Sequence, residues 1–142
     1  MFSTPDLKDK YQKTVFQGFE SMKSFGKRHS FFGQIKTVTC HDDNSKVKEI
    51  LGTNGRGKVL VINSNLITHA AMIGDEIAQK AIDNEWNGIF VAGYVRDVEL
   101  LKEMDIGILA LGSTIAKTNK NDKGFLGEDV IFGGVILSEN SW

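Results

Sequence analysis

The chain has 142 residues with a formal net charge of −1, and 41% of its residues are hydrophobic while 25% are charged. These values exclude a disordered chain and predict one globular domain, residues 1–142, long enough to bury a core. No apolar run approaches the roughly 20 residues of a membrane span, and the N-terminus has no apolar signal-peptide segment.

The number of cysteines and the distribution of charged residues indicate the expected compartment and the classes of partner. The single cysteine, Cys40, has no disulfide partner within the chain and is expected to pack in the core of a cytoplasmic protein. Residues 1–60 carry 11 Lys and Arg against 6 Asp and Glu, whereas residues 61–142 carry 6 against 12. The basic residues are scattered and not interleaved with aromatic residues. We therefore expect neither direct nucleic-acid binding nor a membrane partner.

The N-terminal half is predicted to alternate helices with strands. A capping hydroxyl and an early proline predict a helix over residues 3–11, and residues 14–30 are expected to be irregular with short extended pieces. Alternating apolar residues predict a strand over 31–40. Turn-forming residues are then expected to start a helix over 46–51, and the continuous apolar run at 58–63 predicts a strand covered on both faces.

The C-terminal half is predicted to continue this alternation. A helix over 75–84 carries its apolar residues on one face, and a buried strand over 89–92 is expected to end at Gly93. A short helix over 98–104 and a strand over 106–111 follow. This order of strands and helices predicts an α/β fold class. An irregular apolar stretch, a mobile polar loop and one strand with a double-glycine kink are expected at residues 66–73, 113–129 and 130–137.

The residues around the 75–84 helix point to a binding site. Gly74 and Asp75 open that helix, and Arg96 and Asp97 stand side by side after the strand that follows it. The fold-back of helix and strand is expected to bring the two pairs together. A helix start offers backbone N–H groups to an anion, an arginine can grip a carboxylate with two hydrogen bonds, and an aspartate offers a hard oxygen to a divalent metal. Together they favour a small anionic substrate bound through a metal.

Several further segments carry a resemblance to a known family. They are Phe31-Phe32-Gly33-Gln34-Ile35, Asp43-Asn44, Asn54-Gly55-Arg56-Gly57-Lys58-Val59-Leu60-Val61, Asn84-Glu85-Trp86-Asn87-Gly88, Gly93-Tyr94-Val95-Arg96, Leu101, Asp105-Ile106-Gly107-Ile108, Ala110 and Phe132-Gly133-Gly134-Val135. Through them nearly the whole chain resembles the family of the regulator of ribonuclease activity A. The resemblance implies a compact β/β/α layered, swivelling-domain-like fold and a ring-shaped homotrimer with active sites at the subunit interfaces.

That family contains two kinds of member, and this chain resembles both. One kind comprises metal-dependent class II aldolases that cleave 4-hydroxy-4-methyl-2-oxoglutarate to two pyruvates and also decarboxylate oxaloacetate. These are marked by an aspartate, twenty residues and then Arg-Asp, a spacing that this chain has at Asp75, Arg96 and Asp97. The other kind binds and inhibits the RNA-degrading endonuclease ribonuclease E without an established catalytic role. It is similar to the rest of the chain but lacks the aspartate after the arginine.

Carried over residue by residue, the aldolase resemblance assigns roles to the predicted site. Asp97 is expected to bind the divalent cofactor, Mg²⁺ or Mn²⁺, and Arg96 and Asp75 are expected to act in catalysis. The substrate would be a small 2-keto acid. The residues expected to bind it are Gly74, Asp75, Glu76, Ile77 and Arg96.

Plainer interpretations of these residues stay open at this point. Arg96 and Asp97 could form an ordinary surface ion pair, or Asp97 could cap the helix that starts at Val98. No nucleotide-binding loop of the G-x-x-x-x-G-K-[ST] or G-x-G-x-x-G type is present, which disfavours an S-adenosylmethionine-dependent methyltransferase, an older label within the family. Three histidines show no metal-ligand spacing, namely His29, His41 and His69.

Overall fold

The computed structural model describes residues 22–40, 43–64, 70–115, 124–132 and 135–140. These residues form nine strands, β1 Lys23–Ser24, β2 Gln34–Cys40, β3 Lys58–Asn63, β4 Ala71–Ile73, β5 Gly88–Val95, β6 Gly107–Ser113, β7 Gly124–Leu126, β8 Val130–Phe132 and β9 Val135–Leu137. They also form three helices, α1 Ser45–Leu51, α2 Asp75–Asp83 and α3 Val98–Leu101. The helix predicted at residues 3–11 lies outside the described residues.

One mainly parallel sheet organises the chain. Its strand order is β1-β6-β5-β3-β2-β7, and β4 pairs with the far end of β5. The inner strands β2, β3, β5 and β6 run parallel to one another, whereas β1 and β7 pair with the two outer ones in antiparallel fashion. The apolar run of β3 lies at the predicted position, and its four central residues are fully buried because both faces of the sheet are covered.

Successive residues of the central strands point alternately into two separate apolar layers, one on each face of the sheet. In β3, Leu60 and Ile62 face the helices, while Val59 and Val61 face the opposite side. The helix-side layer also contains Val47 of α1 and further residues of α2 and α3. The opposite layer is closed by the antiparallel pair β8–β9. This arrangement confirms the predicted α/β class and its β/β/α layering.

Two predicted helices of the helix layer are confirmed nearly residue for residue. Helix α1 is preceded by Asp43, whose Oδ1 accepts the backbone N–H of Ser45 at 2.7 Å, so the turn residues start the helix as expected. Helix α2 buries Ile77, Ala78 and Ala81 on one face. Helix α3 ends at Leu101 and is shorter than the predicted 98–104 segment. No helix in the described part of the chain is long and apolar enough to cross a membrane.

The prediction that Gly93 ends its strand is wrong. Strand β5 continues through Gly93 to Val95 because its last residues pair with both β4 and β6. A Cβ at Gly93 would lie 2.3 Å from Oγ of Ser64. The glycine is therefore required by the close approach of a neighbouring segment and not by a turn.

Three further predictions in the second half need correction. The 66–73 stretch, predicted to be irregular, contains strand β4, and the 113–129 segment, predicted to be a loop, contains β7, which pairs with the end of β2. The 130–137 segment is not one strand but two, since Val130 pairs with Leu137 across an antiparallel ladder. Strands β4 and β7 pair with strands that are distant in the sequence, and β8 pairs with β9 after the chain reverses. The pattern of apolar residues does not show which segment a short strand will pair with.

The segment after β9 returns to the open edge of β2. There the carboxylate of Glu139 accepts the backbone N–H of Thr37 at 2.6 Å and the Thr37 hydroxyl at 2.9 Å. The N–H of Asn140 donates to the carbonyl of Ile35 at 2.6 Å. A side-chain carboxylate thus replaces a strand neighbour for the part of β2 that β7 does not reach.

Candidate active site

Three strand ends meet where the predicted site lies. Strands β4 and β5 run parallel and end together, and the N–H of Arg96 donates to the carbonyl of Ile73 at 3.0 Å. The end of β6 is held beside them because the N–H of Thr114 donates to the carbonyl of Val95 at 2.9 Å. Ligands of open parallel sheets generally bind outside such carboxyl ends. The structure thus brings together the chain positions that begin α2 and those that follow β5.

Gly74 permits the closest approach in this region. It precedes α2 with an extended backbone, φ −138° and ψ −163°, which other residues also adopt. A Cβ at this position would lie 2.6 Å from Oδ2 of Asp97 and 3.0 Å from Cγ of Arg96. The glycine is therefore needed for space and not for conformational freedom.

Asp97 occupies an unusual backbone conformation. Its φ of 59° and ψ of 41° lie in the left-handed region, which aspartate tolerates better than most residues. It stands at the N-cap position of α3, yet its side chain makes no capping hydrogen bond there. Instead its Oδ2 accepts the backbone N–H of Asp75, at the start of α2, at 3.2 Å. The interpretation of Asp97 as the cap of the helix that starts at Val98 is therefore right about its position, but its side chain bonds the start of α2 instead.

Arg96 and Asp97 also contact each other. Nη1 of Arg96 lies 3.2 Å from Oδ2 of Asp97, and the two side chains are 21% and 27% exposed. Such limited exposure distinguishes them from the surface pair Arg28–Asp105, whose side chains are 51% and 64% exposed. In that surface pair, the hydrogen bond with Arg28 lowers the pKa of Asp105. The site pair is screened less by solvent and can act on a ligand more strongly.

Two open cavities lie in this region, and the predicted site residues divide between them. Arg96 and Asp97 belong to a cavity of about 510 Å³, together with Val98, Glu99, Leu100, Ser113, Thr114 and Ile115. Asp75 and Glu76 belong to a second one of about 480 Å³, together with Gln79, Leu100 and Met104. Leu100 lies between the two. The side chain of Ile77 is buried in the core, so only its backbone could reach a ligand.

Sequence reasoning missed the contribution of the β6 end. Ser113 and Thr114 line the larger cavity although the segment was predicted as a loop without a role. A signal was present, because both residues directly follow a predicted strand that neighbours the one before Arg96. Leu100 was missed as well, since nothing in an apolar residue of a short helix marks it as part of a site.

Among the described residues, no three or more His, Cys, Asp or Glu side chains come together in a way that could hold a metal ion. His29 is exposed and its Nδ1 lies 3.1 Å from Oγ of Ser24, while His41 and His69 lie outside the described residues. Cys40 is buried as predicted, and burial together with the carboxylate of Asp43 raises the pKa of its thiol to about 12. A thiol of this kind is inert at neutral pH.

Comparison with known proteins adds the family context. A family model described as RraA-like, aldolase/RraA, matches residues 4–142. A Vibrio cholerae protein, provisionally named a 4-hydroxy-4-methyl-2-oxoglutarate aldolase, is 47% identical over 121 residues that cover 85% of this chain and 75% of that protein. A Hahella chejuensis protein with the same provisional name is 42% identical over 136 residues that cover 96% of this chain and 83% of that protein.

Solved structures point to the same fold. The RNA-processing inhibitor RraA from Thermus thermophilis matches with a TM-score of 0.87 at 34% identity, over 96% of this chain and 83% of that chain. A Geobacillus kaustophilus structure named S-adenosylmethionine:2-dimethylmenaquinone methyltransferase matches with a TM-score of 0.83 at 30% identity, over 96% of this chain and 85% of that chain. The family model and these relatives show that the chain belongs to the RraA-like family, aldolase/RraA.

Proposed function

We propose that this protein is a metal-dependent class II aldolase that cleaves 4-hydroxy-4-methyl-2-oxoglutarate to two pyruvates, with oxaloacetate decarboxylation as a secondary activity. One observation carries the proposal: the carboxylate of Asp97 and the guanidinium of Arg96 meet the start of α2 beside an open cavity. The provisional names of two relatives, 47% and 42% identical to this chain, support the same activity.

The residues present suit a loosely held divalent cation. Asp97 offers one partly exposed carboxylate at a cavity, and the described residues supply no closed cage of ligands. Mg²⁺ is commonly bound through one or two carboxylates, with water in its other positions. We therefore assign Asp97 as the ligand of Mg²⁺ or Mn²⁺. When bound, the cation would supply Lewis-acid chemistry to the keto acid.

Arg96 is assigned to the keto acid itself. Arg96 lines the larger cavity and its side chain is only 21% exposed, so its guanidinium can hold a carboxylate and offset negative charge that develops during bond cleavage. A preorganised donor of this kind typically contributes about 3 kcal/mol to transition-state stabilisation. Because Gly74 has no side chain, the Arg96 side chain can lie next to the start of α2.

The start of α2 is assigned to substrate binding. The N–H of Asp75 already donates to Asp97. The N–H groups of the following first-turn residues, Glu76 and Ile77, have no acceptor within an α-helix by geometry and are proposed to receive the substrate carboxylate. The side chain of Asp75 is proposed to orient a water molecule or Arg96.

The proposed reaction balances without any oxidant or reductant. The bond between C3 and C4 of the substrate breaks, and its electron pair remains on the C3 fragment as the enolate of pyruvate. The C4 hydroxyl loses its proton and becomes the keto group of a second pyruvate. A proton added at C3 completes the first pyruvate. Loss of CO₂ from oxaloacetate leaves the same enolate, so Arg96 would serve both reactions.

The proposal is tested by measuring pyruvate release from both keto acids with added Mg²⁺ and with the metal removed by EDTA. Metal-dependent release that falls on the order of 100-fold in Arg96→Ala is the expected result. Arg28→Ala is the matched control because it removes an equally charged side chain from an exposed pair near the start of β6, whereas the site lies at the end of that strand. Absence of release from either substrate by the wild type would overturn the proposal.

A second candidate function is favoured by the structural match to the RNA-processing inhibitor RraA. In that case the protein would bind and inhibit an RNA-degrading endonuclease of the ribonuclease E type, with no chemistry of its own. The test is inhibition of such an endonuclease on a defined RNA by the wild type and by Asp97→Ala. Inhibition that survives the substitution would favour this role, and absence of binding by the wild type would remove it.

The resemblance to the family also supports a homotrimer with the site at the subunit interfaces. Light scattering on the purified protein is the direct test. A mass of three 15.7 kDa chains is expected. A monomer of full activity would contradict the interface placement.

A further inference from the structure

Strand β5 carries an irregularity shortly before the proposed site residues. Val91 pairs with Ala110 of β6, and Tyr94 pairs with Gly112, so three residues along β5 correspond to two along β6. One extra residue is accommodated in β5 between these pairs, as in a β-bulge. The rest of β5, and the residues that follow it, are therefore shifted by one position relative to β6.

The bulge lies where β5 exchanges one neighbouring strand for another. On the side away from β6, β3 pairs with β5 as far as Asn63 and Ala92. On that same side, β4 pairs with β5 from Tyr94 onward. Gly93 lies between the two ladders. The structure at this junction therefore determines how the ends of β4, β5 and β6 meet.

Ser64 occupies this junction. It directly follows β3 and is fully buried. Its Oγ donates to the carbonyl of Ala92 at 2.6 Å, and its backbone N–H donates to the same oxygen at 3.4 Å. Its side chain also fills the space beside Gly93, where a Cβ would overlap with it. The shorter hydrogen bond to this carbonyl thus comes from a side chain.

The end of β5 is tied to its surroundings by three backbone N–H groups. They are the N–H of Arg96, which donates to the carbonyl of Ile73, that of Thr114, which donates to the carbonyl of Val95, and that of Asp75, which donates to the carboxylate of Asp97. We refer to the N–H groups of Asp75, Arg96 and Thr114 as the site amides. Each of these bonds has one partner at the end of β5 or just after it, so a displacement at the bulge would change all three.

We infer that Ser64 is a positioning residue, whose hydroxyl holds the bulge of β5 and thereby fixes where Arg96 and Asp97 stand. β-Bulges are over-represented next to active sites, where they set the direction of a side chain. The consequence for turnover rests on the proposed aldolase function. The effect of Ser64 on the position of the strand end does not rest on it.

A buried hydroxyl elsewhere in the sheet provides the matched control. Thr37 is also fully buried, in β2, and its hydroxyl donates to the carboxylate of Glu139 at 2.9 Å. Thr37→Val removes this hydroxyl and keeps the shape of the side chain. Ser64→Ala and Thr37→Val each lose one buried hydroxyl hydrogen bond, so both should lower stability. Only the first loses a bond at the junction that leads to the site.

The test measures the chemical shifts of the site amides by ¹H–¹⁵N NMR and the kinetics of pyruvate release with Mg²⁺. Ser64→Ala should move the signals of the site amides, whereas Thr37→Val should leave them in place. Ser64→Ala should also lower kcat by about tenfold or more and change KM less, because the catalytic groups are displaced but still present. Ser64→Thr, which keeps the hydroxyl, should resemble the wild type in both measurements.

Unmoved site amides in Ser64→Ala would overturn the inference, and so would a movement of equal size in Thr37→Val or a wild-type kcat in Ser64→Ala. A folded Ser64→Thr protein that behaves like Ser64→Ala would show that the hydroxyl is not the group responsible. If Ser64→Thr fails to fold, the comparison of Ser64→Ala with Thr37→Val still decides. Absence of turnover by the wild type would overturn the proposed function, whereas the NMR comparison would still test the positioning role of Ser64.

Discussion

The backbone N–H of Asp75 donates to Oδ2 of Asp97 across 3.2 Å, although the two residues belong to different helix starts. The same oxygen lies 3.2 Å from Nη1 of Arg96. One carboxylate thus links the start of α2 to the end of β5. A negative charge at a helix N-terminus is generally stabilising, so this contact both holds the site together and places the carboxylate beside the cavity.

Substitution of Asp97 by asparagine removes the negative charge but keeps the shape of the side chain, so it should separate the role of the charge in turnover from the structural role of the side chain. Asparagine tolerates the left-handed backbone of this position and keeps an oxygen for the N–H of Asp75. We expect Asp97→Asn to unfold with a free-energy change within about 1 kcal/mol of the wild type and to lose at least about 100-fold in kcat/KM for metal-dependent pyruvate release. Chemical denaturation and a pyruvate assay measure the two effects.

The matched control for that experiment is Asp105→Asn, which neutralises a carboxylate in the exposed pair with Arg28. It should leave turnover unchanged. An Asp97→Asn protein with wild-type turnover would show that the carboxylate charge has no role in the reaction.

Gly74→Ala tests the close approach at the same site. The added Cβ would meet Oδ2 of Asp97 at 2.6 Å, and neither that atom nor the Arg96 side chain can move away without disturbing the ion pair. We expect a fall in kcat/KM of roughly tenfold or more, as small displacements of catalytic groups are costly. Circular dichroism should show a folded protein.

Gly52→Ala is the control for this second prediction. Its Cβ would lie 2.8 Å from the end of the flexible Lys80 side chain, which can shift at little cost, and a milder 3.3 Å from the carbonyl oxygen of Glu49. Equal activity of the two alanine variants would mean that the spacing at Gly74 is not critical.

The juxtaposition of Gly74 with Arg96 and Asp97 was predictable, because a helix followed by a buried parallel strand must return the chain to the edge at which it began. The sequence also predicted β3 and α1 well, since each has a strong apolar pattern or turn signal. It did not predict that β5 continues through Gly93, because the close contact with Ser64 is tertiary. The cavity position of Leu100 depends in the same way on how α3 packs.

The Glu139 contact predicts a measurable contribution to stability. Thr37 is buried, and its N–H and hydroxyl both donate to the Glu139 carboxylate. Loss of that acceptor in Glu139→Ala leaves buried donors unsatisfied and should lower the free energy of unfolding by about 1–3 kcal/mol. Glu139→Gln keeps an acceptor oxygen and should lose less. Urea denaturation measures both variants.

Glu128→Ala, at an exposed position after β7, is the control for the Glu139 series. It should unfold at nearly the wild-type urea concentration. If Glu139→Ala is as stable as Glu128→Ala, the contact with Thr37 makes no net contribution.

The buried thiol of Cys40 predicts slow alkylation of the native protein. Its pKa is raised to about 12, so at pH 8 the reactive thiolate is nearly absent in the folded state. Iodoacetamide should modify the single cysteine rapidly in urea and very slowly without it, as followed by mass spectrometry. Rapid modification under native conditions would contradict the burial.

The same shift has a consequence for stability at high pH. The stabilisation from the buried thiol is fully present below its ordinary pKa of 9.0. It is lost as the pH rises toward about 12, because in that range the thiol ionises in the unfolded state but not in the folded state. The stability difference between the wild type and Cys40→Ala should therefore shift in favour of the variant as the pH is raised above 9.

The most direct test of the aldolase proposal is the stoichiometry of the reaction. Cleavage of 4-hydroxy-4-methyl-2-oxoglutarate by the wild type with Mg²⁺ can be followed by NMR, with Arg96→Ala measured in parallel. The account predicts two pyruvates for each substrate consumed and almost no conversion by Arg96→Ala. An unchanged substrate spectrum with the wild type, or equal conversion by Arg96→Ala, would contradict it.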